Sequence, residues 1–512
     1  MGDNLNRIDC DVLVVGGGIN GAGIARDAAG RGLRVVLCEK DDLAQHTSSA
    51  SSKLIHGGLR YLEHGAFALV RKALIEREVL LKSAPHIMRP LRFVMPHDQG
   101  QRPAWLIRTG LFLYDHLARR EFLPASGALD LRTHPAGAAL APAFKRGFVY
   151  SDGWVDDARL VVLCALDARE RGATILTRTL CSALERHPLH WSATLVRDGA
   201  TTQVAARCLV NAAGPWAARF LQAATSAPAR HALRLIKGSH IVVPRLFDHS
   251  DAYIFQHPDR RIVFALPYER AFTLIGTTDV DYRGDLDDVA ISADETAYLC
   301  QLANRYFTRQ IAPHDVVWSY AGVRPLVEDA AASAAAATRD FRLETDSAGA
   351  PLLTVFGGKI TTFRKLAEQA VDWIAPALGK RLPAWTAHAC LPGGDLFGER
   401  PLARSVLEFD AWLRGLQQRY AWLSPALVAR YGHAYGTRAQ RMLAHCRTLA
   451  DLGPEVVPGL YSAEVDYLMT HEFAASADDI LWRRSKLGLH LAPGRAAGLA
   501  EWVEARYSAW ER

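Results

Sequence analysis

Apolar positions fall along this chain in short runs whose period alternates between that of a strand and that of a helix. Residues 11–15 form an apolar run that ends in three glycines, which predicts a buried parallel strand entering a turn. Residues 19–31 are rich in small helix formers and close at Gly32, and residues 33–38 form a second apolar run ending at Glu39. Together they predict a βαβ unit of about 30 residues. Leu69, Val70, Ala73, Leu74, Leu80 and Leu81 predict a helix over 66–84, stopped by Pro85. Asp156 and Asp157 predict a helix start before 160–170, followed by Gly172 and a strand-like 174–177. Within 235–282 the runs 241–243, 262–266 and 272–276 alternate with turn signals, a pattern that suits an antiparallel sheet. The alanine-rich stretch 330–337, broken by Ser333, reads as a surface loop or frayed helix. From about Cys390 strand signals vanish, and the spacing in 406–416 and 500–510 predicts a separate helical domain. There is no internal repeat, and no apolar stretch approaches the ~18 residues that a bilayer requires.

Composition narrows the class. The chain has 512 residues, is 49% hydrophobic and 22% charged, and so can bury a core rather than remain disordered. Its eight cysteines include no C-x-x-C pair and sit among apolar neighbours, as small buried hydrophobes of a reducing compartment do. Residues 1–9 carry neither an apolar signal core nor an Arg-rich amphipathic pattern, so a cytoplasmic location is expected. The net charge of +6 is mild, and no nucleic-acid module appears. The basic excess is local. Residues 66–121 hold ten basic against five acidic residues, whereas 389–512 balance at fourteen each. That stretch includes 102–114, aromatic and aliphatic residues flanked by arginines, which suits a helix in the headgroup layer of an anionic membrane. The alternative is a core helix with basic ends, and on pattern alone it is favoured.

Gly16, Gly18 and Gly21 occupy the three places of G-x-G-x-x-G between a predicted strand and a predicted helix. The first permits the tight turn, the second lets backbone approach a pyrophosphate, and the third packs helix against strand. Glu39 follows at the end of the second strand, placed to accept ribose hydroxyls. The motif does not choose between FAD and NAD. A second apolar strand running into a glycine turn at 209–216 tips the choice towards a flavin, with a generic turn as its alternative. Gly357-Gly358-Lys359 is not a P-loop, because Leu353 stands where the earlier glycine belongs. No H-E-x-x-H and no EF-hand loop appears, so no metal is indicated.

Residues 16–21, the run Thr47-Ser-Ser-Ala-Ser-Ser-Lys-Leu-Ile-His-Gly-Gly-Leu-Arg-Tyr-Leu62, Lys237-Gly-Ser-His240, Gly276-Thr-Thr-Asp279, Gly322-Val-Arg-Pro325, Phe356-Gly-Gly-Lys-Ile-Thr-Thr362 and Trp482-Arg-Arg484 resemble, in order and across nearly the whole chain, the aerobic FAD-dependent sn-glycerol-3-phosphate dehydrogenase family. The resemblance implies an α/β, D-amino-acid-oxidase-like FAD-binding fold with a Rossmann-type βαβ unit, an antiparallel-sheet substrate domain and a C-terminal all-α cap. FAD-binding segments are then expected at about 9–90, 150–225 and 340–388, substrate-domain segments at about 91–149 and 226–339, and the cap at 389–512. It implies oxidation of sn-glycerol 3-phosphate, a membrane quinone as acceptor, peripheral contact with the inner membrane, and it admits a homodimer. With it, the basic aromatic segment 102–120 leans towards the membrane. The EF-hands and import peptide of mitochondrial relatives are absent, which favours a bacterial type.

FAD contacts are implied for Gly16, Gly18, Ile19, Asn20, Gly21, Glu39, Ser51, Ser52, Lys53, Leu54, His56, Gly214, Gly358, Lys359, Ile360 and Thr361. The backbone of 358–361 would face the N1–C2=O edge of the reduced flavin. Oxidising a secondary alcohol phosphate needs cations for the phosphate and a base for the hydroxyl proton. Arg60 and Tyr61 are expected at the phosphate, with Arg324 and Lys359 nearer the glycerol hydroxyls and the flavin. Thr278 is a further hydrogen-bonding candidate. His56 and His240 are the alternative bases. Phe363 and Ala213 stand where tyrosine and threonine are common in the family. The rival readings are an α-glycerophosphate oxidase, another flavin oxidoreductase of the same fold, and a non-catalytic binder. The basic set argues against a carboxylate substrate, which usually needs one arginine fork.

Overall fold

The computed structural model describes residues 7–98, 101–225, 233–256, 261–327 and 340–510. The expected βαβ unit forms from β1 (Arg7–Val15), α1 (Ile19–Gly30) and β2 (Val35–Cys38). β3 (Leu54–Ile55), α2 (Phe67–Ser83), β4 (Met88–His97), α3 (Ala104–His116), β5 (Gly127–Asp130) and β6 (Arg146–Val155) follow. Asp156 then caps α4 (Asp157–Glu170) by accepting from the Arg159 N–H, as the two aspartates suggest. Next come β7 (Thr174–Leu176), β8 (Leu180–Arg186), β9 (Trp191–Arg197), β10 (Ala200–Asn211) and α5 (Ala217–Thr225). The β-rich middle supplies β11 (Leu233–Pro244), β12 (Ala252–Gln256), β13 (Ile262–Tyr268), β14 (Phe272–Gly276) and β15 (Val280–Asp281). After it come α6 (Ala293–Tyr306), β16 (Trp318–Val327), β17 (Arg342–Asp346), β18 (Leu352–Phe356) and α7 (Phe363–Ala377).

Two sheets result. The first runs β17-β18-β10-β1-β2-β7, parallel from β18 to β7, with β9 and β8 extending from β10. Its strands are apolar on both faces because helices cover it, with α1 wedged between α4 and α7 in a core that includes Val12, Ala25, Leu163 and Leu366. The second runs β15-β11-β14-β13-β12-β4-β6-β3, with β16 on β11 and β5 on β6. Residues 241–243, 262–266 and 272–276 lie in β11, β13 and β14, which pair antiparallel. Period-2 alternation sends Ile241 and Val243 towards α6 and Val242 towards the α2 and α3 side. β3 lies within a segment expected with the first sheet, yet it pairs with β6 in the second.

The C-terminal part packs around its own core of Leu427, Tyr431, Leu468 and Ile480. The helix over 406–416 is in fact two, α8 (Ala403–Leu407) and α9 (Phe409–Arg419), because the chain leaves helical geometry at Glu408. α10 (Pro425–Tyr435) and α11 (Ala439–Met442) follow. The region is not free of strands. β19 (Glu455–Val457) and β20 (Leu460–Tyr461) make a small hairpin whose turn is Pro458-Gly459, with Gly459 at φ +79°. α12 (Ser462–His471), a π-helical turn at Asp479–Arg484 and α13 (Ala497–Trp510) complete the fold. The alanine-rich stretch lies outside the described residues. Among the described residues, no helix is long and apolar enough to cross a membrane.

Candidate active site

The glycine turn after β1 is built as its spacing suggests. Gly16 has φ +114°, and a Cβ there would lie 2.5 Å from the Ala212 carbonyl oxygen at the end of β10. A Cβ at Gly21 would collide with the Gly16 carbonyl oxygen. Glu39 accepts from the backbone N–H of Gly17 at 2.6 Å and of Asp41 at 3.0 Å, while burial raises its carboxyl pKa. Ile19 N–H donates to Ser48 Oγ at 3.0 Å. Asn20 Nδ2 donates to the Gly357 carbonyl at 3.2 Å, and its buried Oδ1 has no partner among the described residues. A cavity of about 440 Å³ opens beside this turn, lined by Gly16, Gly18, Glu39, Gly214 and Trp216. Its two glycine turns and its acid at the strand end fit the adenosine and pyrophosphate of FAD. Glu39, Asp41 and His46 cluster as metal ligands can, but hydrogen bonds within the cluster and to backbone N–H groups already occupy them.

The serine-rich run packs against the second sheet. Thr47 Oγ1 donates to the Val323 carbonyl at 2.7 Å, and Ser52 Oγ lies 2.9 Å from His240 Nε2. Ser51 and Lys53 turn the other way. The Ser51 hydroxyl donates to Asp157 at 2.7 Å, and Lys53 Nζ reaches both oxygens of that carboxylate at 2.8 and 2.9 Å. The Lys53 charge expected at the cofactor is therefore taken up by a buried ion pair with Asp157. Leu54 is buried on β3 opposite Trp154.

Beyond β3, His56 N–H donates to Thr361 Oγ1 at 3.2 Å, and its ring meets Phe264 edge-on at 6.4 Å. Gly58, at φ +80°, starts a 3-10 turn, Leu59–His64, that carries Arg60 and Tyr61. Lys359 Nζ sits 3.8 Å from the centre of the Tyr61 ring. Arg60 is half-buried and has no hydrogen-bond or ion-pair partner among the described residues. Gly357 and Gly358, both at positive φ, lead through Ile360–Thr362 into α7. Phe363 at the start of α7 is buried against Gly23 of α1, so a packing contact stands where the family's tyrosine would be.

The sheet contributes His240 and Arg324. Arg324 lies on β16 opposite Ile236; its Nη2 donates to the Thr278 carbonyl at 2.9 Å and lies 2.9 Å from Asp279 Oδ1 as an ion pair. The Thr278 hydroxyl, a hydrogen-bonding candidate for the substrate, is engaged by protein partners. It donates to Glu295 Oε1 at 2.7 Å and accepts from Ser239 N–H at 2.9 Å, which fixes the residue whose carbonyl accepts from Arg324. Glu295 also pairs with Lys237 at 2.8 Å, and these partners lower its pKa against the opposing effect of burial. His240 is buried, with its ring over Gly276, where a Cβ would overlap it. Burial first, then Lys53 and Arg324, push its pKa well below the usual imidazole value, and its Nδ1 has no partner among the described residues. Glu295, Tyr320 and Asp157 were missed by sequence reasoning. For Glu295 a signal existed, since Ser292 and Glu295 form a capping box at the start of α6.

Residues 11–364 match the family model described as FAD dependent oxidoreductase, and residues 384–504 match the C-terminal domain of alpha-glycerophosphate oxidase. The chain is 54% identical over 500 residues to a glycerol-3-phosphate dehydrogenase of Pseudomonas aeruginosa, covering 97% of this chain and 95% of the relative. It is 47% identical over 498 residues to a D-erythritol 1-phosphate dehydrogenase of Brucella abortus, covering 97% and 98%. Among solved structures, a glycerol-3-phosphate dehydrogenase of Bacillus halodurans complexed with FAD superimposes with a TM-score of 0.78 at 26% identity, covering 98% of this chain and 91% of that one.

Proposed function

This chain belongs to the family of FAD dependent oxidoreductases, and from that membership we propose that it oxidises sn-glycerol 3-phosphate to dihydroxyacetone phosphate. One observation carries the substrate reading. Arg60 is a half-buried guanidinium without an anionic partner among the described residues, one residue from the tyrosine that carries Lys359. A phosphate with nearly two negative charges supplies the missing anion. Arg324, held in place by Thr278 and Asp279, orients the glycerol hydroxyls. His240 takes the hydroxyl proton on Nδ1, because burial keeps it neutral and Ser52 fixes its other nitrogen. Proton uptake beside Lys53 and Arg324 is unfavourable alone, and the substrate's dianion offsets it. Gly16, Gly18, Ile19, Asn20, Gly21, Glu39, Gly214 and the turn 358–361 hold the FAD. When bound, FAD supplies the acceptor for the two electrons that the alcohol carbon gives up.

The onward acceptor in this reading is a membrane quinone. Support comes from α3, whose Trp105 and Phe112 are 68% and 60% exposed on the side opposite its buried Ile107 and Leu111. Arg108 and Arg119 are exposed nearby, while Arg102 and Arg120 are paired with Glu63 and Asp115. Dye- or quinone-coupled oxidation of sn-glycerol 3-phosphate, with oxygen uptake followed in parallel, tests both parts. Turnover that needs the added acceptor supports the dehydrogenase. Peroxide at a comparable rate identifies an oxidase, and yellow protein without turnover overturns the substrate. The Brucella relative favours one second reading, a four-carbon polyol phosphate, so D-erythritol 1-phosphate belongs in the same assay.

A further inference from the structure

The C-terminal domain reaches the candidate base through a column of aromatic rings. Trp482, on the π-helical turn Asp479–Arg484, stacks on Trp318 of β16 with centroids 4.8 Å apart and planes at 18°. Trp318 and Tyr320 stand two residues apart on one face of that strand and meet at 5.0 Å, tilted by 43°. Tyr320 then stacks on His240 at 4.8 Å and 16°. Both ends of the column rest on glycine. A Cβ at Gly488 would lie 2.7 Å from Cε2 and Cζ2 of Trp482, and one at Gly276 would overlap the His240 ring. With backbone behind each end, the two end rings have no room to back away from the stack.

The supports are fixed as well. Tyr320 Oη donates to the Ser51 carbonyl at 2.8 Å, and Ser52 Oγ bonds His240 Nε2. The turn that carries Trp482 is clamped to the nucleotide-binding side by Arg178–Asp479 at 2.6 Å and Arg484–Asp42 at 2.8 Å. Ring pairs prefer defined offsets and angles, so a displaced ring re-orients its neighbour rather than sliding freely past it. The charged groups facing His240 are Lys53, paired with Asp157, and Arg324, paired with Asp279.

We propose that Trp482 is a positioning residue that, through Trp318 and Tyr320, sets the angle at which His240 presents Nδ1, so that the C-terminal domain takes part in aligning the proton acceptor. The inference rests on the reading of His240 as base. It makes the turn 479–484 a component of the active site, although among the described residues its side chains meet Asp42, Arg178 and Trp318 rather than the substrate-binding residues named above.

The test uses the purified FAD-loaded enzyme, sn-glycerol 3-phosphate and a dye acceptor, with FAD content and thermal midpoint recorded for each variant. Trp482→Ala is expected to lower kcat about tenfold or more, with KM within about twofold and FAD retained, since small misplacements of a reacting group are costly. Trp482→Phe, which keeps a ring in the stack, is expected to recover most of that loss. Gly488→Ala pushes the ring from behind without removing it, and should lower kcat in the same way should Trp482→Ala fail to fold. Wild-type kcat in folded Trp482→Ala and Gly488→Ala overturns the proposal. Parallel losses of kcat, FAD and thermal midpoint that phenylalanine does not rescue overturn it too, because they describe a structural role. His240→Ala separates the two layers. Near-normal turnover in that variant removes the base reading itself, whereas a dead His240→Ala beside a fully active Trp482→Ala removes only the column.

Discussion

Arg60 stands apart from four other cations of this region that are matched to carboxylates. Lys53 has Asp157, Arg77 has Asp152 at 2.8 Å, Arg364 has Glu76 at 2.6 Å, and Arg324 has Asp279. Lys53, Arg77 and Arg364 are buried structural cations whose loss would strand a carboxylate. Arg60 on its 3-10 turn has no such duty, so its removal should leave the fold intact and weaken substrate binding. Arg60→Ala is expected to raise KM for sn-glycerol 3-phosphate by roughly 10- to 100-fold, the range of a lost charge-assisted hydrogen bond, with an unchanged thermal midpoint. An unchanged KM would remove Arg60 from the phosphate site. The comparison also marks what residue types disclose. Arg60 and Lys53 are equally good phosphate ligands on paper, seven positions apart, and Thr278 is as good a donor as Tyr61. Only the partners separate them, because Asp157 is more than a hundred residues from Lys53 and Glu295 is seventeen from Thr278. Thr278 thereby becomes testable as a support. Thr278→Val removes the hydroxyl that joins Ser239 to Glu295 and should lower kcat/KM through Arg324, whereas an unaltered kcat/KM would free Arg324 of that dependence.

At the scale of elements, α3 contains both outcomes that its sequence left open. Ile107, Leu111 and Tyr114 pack into the core beside β4 and α2, while Trp105, Leu106, Phe112 and Leu113 remain exposed. Helical spacing places 105 and 112 seven residues apart, on one stripe. A helix apolar on two sides, with one of them in water, presents a surface that burial in a lipid headgroup layer would satisfy. Trp105→Ser with Phe112→Ser should reduce sedimentation with anionic vesicles at least tenfold, while dye-coupled turnover in detergent-free buffer stays normal. Equal vesicle binding by the double variant would place the membrane contact elsewhere. The elements that the sequence revealed best are those with one dominant signal: the glycine turn between β1 and α1, the aspartate cap of α4, the alternating strands β11, β13 and β14. Those it hid depend on single residues in context. Glu408 splits a continuous apolar period into α8 and α9, and Pro458-Gly459 turns a helical region into a hairpin. The π-helical turn at Asp479–Arg484 has no periodicity of its own and exists because arginines on it find Asp42 and Asp479.

Across the whole molecule, the seam between the C-terminal helices and the rest is built from buried charge and one unusual histidine. Arg159 pairs with Glu472, Arg484 with Asp42, and Lys486 with Asp156, contacts that fix position more than they add net stability. His86 lies in this seam, against Gly393 and Gly436, and neither ring nitrogen has a partner among the described residues. Burial first, then the nearby Arg159 and His433, lower its pKa to about 3. In the unfolded chain the same imidazole titrates at its ordinary value near 6.5. Between those two values the unfolded state takes up a proton that the folded state refuses. Stability from this residue is therefore complete above pH 6.5 and falls by about 1.4 kcal/mol for each unit below it, levelling off near pH 3. The seam carboxylates act in a different window. Asp479 is held at about 2, its burial outweighed by Arg484, Arg178 and Arg483, so its contribution persists until the pH falls below about 4. Between pH 7 and 5, then, the imidazoles decide, and His86 is the one placed to loosen the C-terminal domain. His86→Phe fills the same apolar space without a titrating group. It should lose about 2 kcal/mol less stability than the parent protein between pH 7 and 5, read from denaturant unfolding of the FAD-loaded enzyme at both values. Equal losses in parent and variant would show that His86 accepts its proton inside the folded seam, and the acid sensitivity would then belong to the other buried imidazoles, His240 and His433.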